Sequence, residues 1–131
     1  MEELAKNLGL ESNVNWRGQV SEAATHQVFA RSTLFVLNTN YEGLPFSVLN
    51  AMQVGVPVLT TPVGGNPEVV EHGVSGWLAP FNNEAAWQAA LEQLLGDSSL
   101  RAKLAQGGRQ TLAKFQWQRM VDQTLAVIES L

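Results

Sequence analysis

The sequence contains no cysteine in its 131 residues. A disulfide framework and a thiolate metal site are therefore both excluded. Only His26 and His72 offer imidazole groups, whereas a closed zinc site needs about four ligands. We therefore expect neither a structural metal nor a cofactor, and we interpret both histidines as surface or helix-end residues.

The sequence also lacks an excess of positive charge and long apolar runs. Its formal net charge is −4 and its 8 lysine and arginine residues are scattered, so they form no cluster suited to a nucleic-acid backbone. No apolar run approaches the roughly 20 residues of a transmembrane helix, and the acidic start of the chain is unlike a signal peptide. We therefore expect a cytoplasmic protein with no nucleic-acid partner and no transmembrane segment. Peripheral membrane association stays open for a longer chain.

What the sequence does contain is an ordinary globular composition, with 45% hydrophobic and 15% charged residues. Apolar and alternating stretches predict three strands and a marginal fourth, over 13–17, 34–37, 57–61 and 76–79. Helical spacing predicts helices over 2–8, 22–31, 46–54 and 67–72, then three more over 84–95, 98–114 and 117–130. Strands that alternate with helices indicate an α/β fold with a parallel sheet. We expect one partial domain, 1–131, with an α/β core over 1–82 and C-terminal helices over 83–131.

Polar and glycine residues mark the predicted helix ends. Ser21, Asn83 and Ser98 are candidate N-caps because their side-chain oxygens can accept from backbone amides of the first turn. Gly107 and Gly108 fall inside a predicted helix, where each glycine costs about 1 kcal/mol relative to alanine. We therefore expect a weak point in that helix.

Three loops should meet at the carboxyl edge of the sheet, where open α/β domains bind ligands. They span residues 18–20, 38–45 and 62–66. The middle loop leads directly into a helix, whose N-terminal amides and dipole can hold a phosphate without a basic side chain. Gly43 allows close approach of a ligand, and Glu42 can accept hydrogen bonds from sugar hydroxyls.

Four ordered motifs resemble those of the group 1 glycosyltransferases, which are retaining enzymes of the GT-B fold that use nucleotide-activated sugars. The motifs are EGLPFSVLNAM over 42–52, GVPV over 55–58, TPVGGNPEVV over 61–70 and HGVSGWL over 72–78. The resemblance extends to residues 14–18 and 115–117. The resemblance implies a Rossmann-like, three-layer domain that forms the C-terminal half of a GT-B enzyme without its first strands. It also implies hexosyltransferase-type chemistry in polysaccharide or glycolipid biosynthesis.

The resemblance further assigns roles to particular positions. It implies a nucleotide-diphosphate sugar donor of the UDP or GDP type, and it places no catalytic or metal-binding residue in this chain. The residues implied to bind the donor sugar and diphosphate are Glu42, Gly43, Leu44, Pro45, Phe46, Gly64 and Gly65. Those implied to lie at the ribose and base are Asn50, Gly18 and Val20.

Asn50 departs from the family pattern. The family motif is a glutamate, seven residues and a second glutamate that holds the ribose hydroxyls, and counting from Glu42 places Asn50 at the second position. Asparagine is neutral and cannot offer two equivalent acceptors to a vicinal diol. The expected loss in donor affinity is on the order of ten- to a hundredfold.

The second departure from the family pattern is that parts of the family's sequence are not present among these residues. Family members carry, ahead of the region that corresponds to Glu2, further strands with basic residues that hold the diphosphate. They also carry an N-terminal domain that binds the acceptor and commonly supplies a catalytic histidine. We therefore expect the isolated chain to bind donor weakly and to show little or no turnover.

Other interpretations remain open. The chain can be a non-catalytic interaction module that pairs with a partner chain, and that hypothesis predicts an exposed apolar patch at the edge of the sheet. Gly64 and Gly65 can form a tight turn without contacting a ligand, and Glu42 can simply favour a helix N-terminus. A phosphate-binding signalling domain is disfavoured, because such domains usually carry acidic residues at the ends of their first strands. No acidic residue directly follows Trp16 or Leu37 at the ends of the first two predicted strands.

Overall fold

A computed structural model describes residues 1–115 and 117–130. Its helices are α1 (Glu2–Asn7), α2 (Glu22–Ala30), α3 (Phe46–Val54), α4 (Asn66–Val69), α5 (Glu84–Gly96), α6 (Ser98–Leu112) and α7 (Trp117–Glu129). Its strands are β1 (Phe35–Leu37), β2 (Val58–Thr60) and β3 (Trp77–Leu78). Short 3₁₀ turns cover Glu11–Asn13 and Ala113–Phe115.

The three strands form one parallel sheet in the order β1-β2-β3. Val36 pairs with Leu59 in the first ladder, and Leu59 pairs with Trp77 in the second. Each crossover between neighbouring strands contains a helix, α3 after β1 and α4 after β2. The predicted α/β fold with a parallel sheet is confirmed.

The predicted strand over 13–17 is wrong. Asn13 belongs to a 3₁₀ turn and donates its backbone N–H to Leu10, while Val14 is extended with φ −116° and ψ 127°. Within the described residues, this segment pairs with no strand. Trp16 remains 48% exposed, so alternation of polar and apolar residues occurs here without the ladder that makes a strand.

Successive residues of β2 point to opposite faces, and each face carries a hydrophobic cluster. Val58 packs with Val48 and Met52 of α3 on one face. Leu59 packs with Leu94 of α5 and Leu104 of α6 on the other. The central strand is therefore apolar on both faces, as a strand covered by helices on both sides must be.

Two of the three predicted N-caps are confirmed. The Ser21 hydroxyl accepts from the amide of Ala24 at 3.3 Å, and the Asn83 carbonyl oxygen accepts from Ala86 at 3.0 Å. The prediction for Ser98 is wrong, because Asp97 caps α6 and accepts from the amide of Leu100 at 2.9 Å. Asp97 has the extended backbone that an N-cap needs, whereas Ser98 is already helical.

The glycine pair inside α6 allows close packing. A side chain at Gly107 would overlap the carbonyl oxygen of Val74, and a Cβ at Gly108 would lie 3.0 Å from Cγ of Met52. The helix runs through both positions to Leu112. The glycines thus bring α6 against α3 and against the turn before β3, which offsets their low helix propensity.

Candidate functional site

The loop over 38–45 connects β1 to α3 at the carboxyl edge of the sheet. Its fold begins at Thr39, whose hydroxyl donates to the carbonyl oxygen of Tyr41 at 2.7 Å and accepts from the Tyr41 amide at 3.3 Å. Directly after β2, the Thr61 hydroxyl donates to the carbonyl oxygen of Thr39 at 2.7 Å. These bonds fix where the loop leaves the sheet.

The loops over 38–45 and 62–66 lie against each other. The amide of Gly65 donates to the carbonyl oxygen of Glu42 at 3.1 Å. A Cβ at Gly64 would overlap that same oxygen, and a Cβ at Gly65 would overlap the carbonyl oxygen of Gly43. Gly64 also has φ +53°, which disfavours any other residue. The structure therefore brings together Glu42, Gly43, Gly64 and Gly65, as the sequence predicts.

The N-terminus of α3 lies beside these loops and carries no side-chain cap. Pro45, the N-cap residue, is buried and offers no side-chain cap. The amide of Phe46 donates to the carbonyl oxygen of Leu44 at 2.9 Å, and regular helical bonding starts with Leu49 donating to Pro45. First-turn amides without a capping side chain, together with the helix dipole, are suited to hold an anion.

Glu42 supplies the charge at this site. Its residue is half-buried, and within residues 1–115 and 117–130 the structure gives its carboxylate no hydrogen-bond or ion-pair partner. A carboxylate in that state keeps its full acceptor capacity for hydroxyl donors. Across the same described ranges, no group of three or more histidine, aspartate or glutamate residues could hold a metal ion.

Leu44 and Phe46 lie at an apolar rim. Phe46 is 69% exposed although it is the first residue of α3. Both residues line a cavity of about 430 Å³ together with Phe115 and Met120. Their side chains therefore face the C-terminal segment, while their backbone belongs to the loop and helix start.

Asn50 occupies a different cavity from the loop residues. It lines a space of about 440 Å³ with Gln53 on α3 and with Arg109 and Leu112 on α6. Leu49 and Phe115 line both this cavity and the apolar one. Arg109 was not predicted as a site residue, because its place beside Asn50 depends on how α6 packs against α3.

Gly18 and Val20 form no hydrogen bond with the two loops within the described residues. Gly18 adopts φ +59°, and Val20 is 42% exposed in the segment before the cap of α2. In the part of the chain that the structure describes, no hydrogen bond joins this segment to residues 38–45 or 62–66. Their assignment to the base therefore stays a prediction.

A buried polar network beneath the loops was missed by sequence reasoning. It consists of Thr60, Thr61 and Asn66, all fully buried. The amide group of Asn66 donates to the hydroxyl of Thr60 at 3.1 Å and to the carbonyl oxygen of Thr61 at 2.9 Å. The one available signal was a pair of threonines ending an otherwise apolar strand.

The parallel sheet, the glycine-lined loops and the uncapped helix start define an α/β domain with a candidate ligand site at the carboxyl edge of its sheet. Comparison with known proteins shows its family. Residues 1–111 match the family model described as glycosyl transferases group 1. The chain therefore belongs to the group 1 glycosyltransferases. No helix in the described ranges is long and apolar enough to cross a membrane.

Curated relatives agree with this family. The chain is 33% identical over 125 residues to D-inositol 3-phosphate glycosyltransferase of Salinispora arenicola (strain CNS-205), covering 95% of this chain and 28% of that protein. It is 32% identical over 122 residues to N-acetyl-alpha-D-glucosaminyl L-malate synthase of Bacillus anthracis, covering 92% of this chain and 32% of the relative. The chain thus spans about a third of the length of these relatives.

Solved structures share the architecture. Sucrose-phosphate synthase from Thermosynechococcus elongatus superimposes with a TM-score of 0.89 at 25% identity, over 98% of this chain and 33% of the other. Anabaena Alr3699/HepE in complex with UDP also gives 0.89 at 25% identity, over 99% of this chain and 36% of the other. The Rossmann-like fold of a GT-B C-terminal domain is thereby confirmed.

Proposed function

We propose that this domain binds a nucleotide-diphosphate sugar of the UDP or GDP type and presents it for retaining sugar transfer. The observation that carries the proposal is the contact of Glu42–Gly43 with Gly64–Gly65 in front of the uncapped start of α3. The Anabaena relative in complex with UDP supports the nucleotide part of the donor.

Each part of the site suits one part of such a donor. The first-turn amides of α3 and the positive end of its dipole would hold the diphosphate. The unpaired carboxylate of Glu42 would accept hydrogen bonds from the sugar hydroxyls. Asn50 would face the ribose with a weaker, neutral side chain, and Gly18 and Val20 would flank the base.

Catalysis by this chain alone is not part of the proposal. Among the proposed donor-binding residues, Glu42 is the only ionisable side chain, and its role is to orient the sugar. Transfer would need a further polypeptide, either in the same chain or as a partner, that binds the acceptor. We expect the 131 residues alone to bind donor weakly and to turn it over slowly or not at all.

Titration calorimetry tests the proposal directly. The chain is titrated with UDP, GDP, UDP-glucose and GDP-mannose, and its folding is checked by circular dichroism. The Glu42→Gln variant should weaken binding of the sugar nucleotide by about ten- to a hundredfold, because a hydrogen bond to a charged group contributes about 1.5–3 kcal/mol. It should leave binding of the bare nucleoside diphosphate nearly unchanged.

The matched control is Glu71→Gln, which removes the same charge from an exposed residue outside both loops. It should alter neither affinity. A folded wild-type chain that gives no binding heat with any of the four ligands would refute donor binding. An equal loss of affinity in both variants would reduce the role of Glu42 to net charge.

A second candidate function is a non-catalytic interaction module. The observation that favours it is the exposure of apolar side chains on the edge strand β1 and on α2, where Val36 is 45% exposed and Val28 is 39% exposed. Edge strands with apolar side chains tend to pair with further chain. Under this alternative, the chain self-associates or captures a partner while donor binding is absent.

A further inference from the structure

Asn66 is the most deeply buried amide near the proposed donor site. Its residue is 0% exposed at the start of α4. Its Nδ2 group donates twice, to Oγ1 of Thr60 and to the carbonyl oxygen of Thr61. Its Oδ1 atom is also buried and has no hydrogen-bond partner in the described residues.

The two threonines connect Asn66 to the loop over 38–45. The Thr60 hydroxyl donates to the carbonyl oxygen of Leu37 at 2.9 Å, and the Thr61 hydroxyl donates to that of Thr39 at 2.7 Å. Leu37 ends β1 and Thr39 starts the turn that leads to Glu42. Asn66 is therefore linked through Thr60 to Leu37 and through Thr61 to Thr39. The loop that carries Glu42 leaves the sheet between these two residues.

The far end of the loop returns to the residue before Asn66. Gly65 donates its amide to the carbonyl oxygen of Glu42 at 3.1 Å. The path from Asn66 through Thr61, Thr39 and Tyr41 to Glu42 and back to Gly65 is thus a closed ring of hydrogen bonds and chain. Such a ring holds the two loops at one separation.

We propose that Asn66 is a positioning residue that sets the geometry of the Glu42 loop against Gly64–Gly65, and thereby the affinity for the donor. The role in donor binding rests on the function proposed above. Asn66 touches no ligand in this scheme and acts only through Thr60, Thr61 and the loops they anchor.

The unpaired Oδ1 atom argues that Asn66 does more than fill space. A buried acceptor without a donor costs free energy, whereas an apolar residue of similar volume would avoid that cost. The benefit of the amide lies in the two bonds of Nδ2, and both bonds end on residues that hold the loop. The polar group is therefore explained by loop geometry better than by packing.

Hydrogen exchange measured by NMR separates loop geometry from overall stability. In Asn66→Leu, the amide of Gly65 should exchange about tenfold faster relative to the amides of β2, since losing two neutral hydrogen bonds has an effect of about that size. The affinity for UDP-glucose or GDP-mannose, whichever the wild type binds, should fall by about tenfold in calorimetry.

A second pair of variants keeps the proposal testable if Asn66→Leu does not fold. Thr61→Val removes the hydroxyl at nearly constant shape and should accelerate exchange at Gly65, whereas Thr61→Ser retains the hydroxyl and should behave like the wild type. Ser75→Ala is the matched control. Ser75 is also buried, but its hydroxyl bonds to the backbone of Val69 and Glu71, outside the two loops.

The outcomes discriminate between this inference and the function on which it rests. Unchanged exchange at Gly65 in Asn66→Leu, or an equal change in Ser75→Ala, overturns the positioning role. Faster exchange with unchanged affinity for the sugar nucleotide overturns its link to the donor. A wild type that binds no nucleotide refutes the proposed function, and the exchange data alone then decide whether Asn66 sets the loop geometry.

Discussion

At the scale of single residues, Asn50 is the position at which the proposed donor site departs from the family pattern. It lies on α3 beside Gln53 and lines the same cavity as Arg109. Under the proposed function, a neutral amide there would accept hydrogen bonds from a ribose only weakly, whereas the Glu42 carboxylate would still bind the sugar. Loss of one contact and retention of the others together predict a weakened donor site.

Replacing Asn50 by glutamate should therefore strengthen binding. We expect Asn50→Glu to raise affinity for the nucleoside diphosphate by about tenfold or more, because the carboxylate gains charge-assisted hydrogen bonds to the ribose hydroxyls. Calorimetry with UDP and GDP measures the change. Gln53→Glu is the matched control, since it adds the same charge to the same cavity and should not raise affinity.

The result also distinguishes the two candidate functions. Regained affinity in Asn50→Glu alone means that the rest of the donor site persists. A gain of the same size in Gln53→Glu would assign the effect to charge beside Arg109. No gain in either folded variant would favour the interaction module.

At the scale of secondary-structure elements, the close approach of α6 to the turn before β3 depends on Gly107. We expect Gly107→Ala to lower the free energy of unfolding by about 1–3 kcal/mol, because the new Cβ meets the carbonyl oxygen of Val74. Gly96→Ala should be neutral or slightly stabilising, because a Cβ there meets open space. Urea denaturation measures both, and equal effects would contradict the packing role.

The cap of α6 gives the molecule a stability contribution that depends on pH. The amide of Leu100 and the hydroxyl of Ser99 hold the pKa of Asp97 below its usual value. A lowered pKa in the folded state means that the stabilisation is present above the unfolded pKa and is lost as pH falls through the folded pKa. We expect Asp97→Asn to flatten the acidic limb of stability against pH, measured by thermal unfolding from neutral pH to pH about 3.

The control for this effect is another first-turn acid. Glu84 lies in the first turn of α5, which Asn83 caps. Glu84→Gln should leave the acidic limb nearly as steep as in the wild type. If both variants flatten the limb equally, the helix dipole and not the cap bonds of Asp97 is responsible.

Local signals explain which elements were predictable. Ser21 and Asn83 were identified as caps because an N-cap bonds within its own turn, and Asp97 displaced Ser98 by a single position. The strand predicted over 13–17 was wrong because a strand needs a hydrogen-bonded partner elsewhere in the chain. Local alternation of polar and apolar residues does not show whether such a partner exists.

The candidate site shows the same difference between local signals and contacts made by distant parts of the chain. The motif around Glu42 and the glycines over 64–65 was visible in sequence because both lie within short, ordered segments. The network of Asn66 with Thr60 and the position of Arg109 beside Asn50 depend on contacts between elements far apart in the chain. The sequence therefore predicted the loops that form the site better than the side chains that support it.

At the scale of the whole molecule, the exposed apolar side chain on the edge strand β1 predicts self-association of the chain. Val36 lies in the middle of β1, is 45% exposed, and belongs to the outermost strand on one side of the described sheet. If apolar contact through this edge drives association, the chain should form dimers or larger species as its concentration rises.

Val36→Lys should suppress that association, since a lysine on an edge strand opposes pairing with another chain. Sedimentation velocity across a hundredfold range of concentration, about 1–100 µM, measures the effect in the range where weak association of small interfaces becomes detectable. Val74→Lys is the control, because Val74 is similarly exposed at 46% but lies in the turn before β3. A wild type that stays monomeric throughout removes self-association as an argument for the interaction module. Association that persists in Val36→Lys but not in Val74→Lys places the contact away from β1.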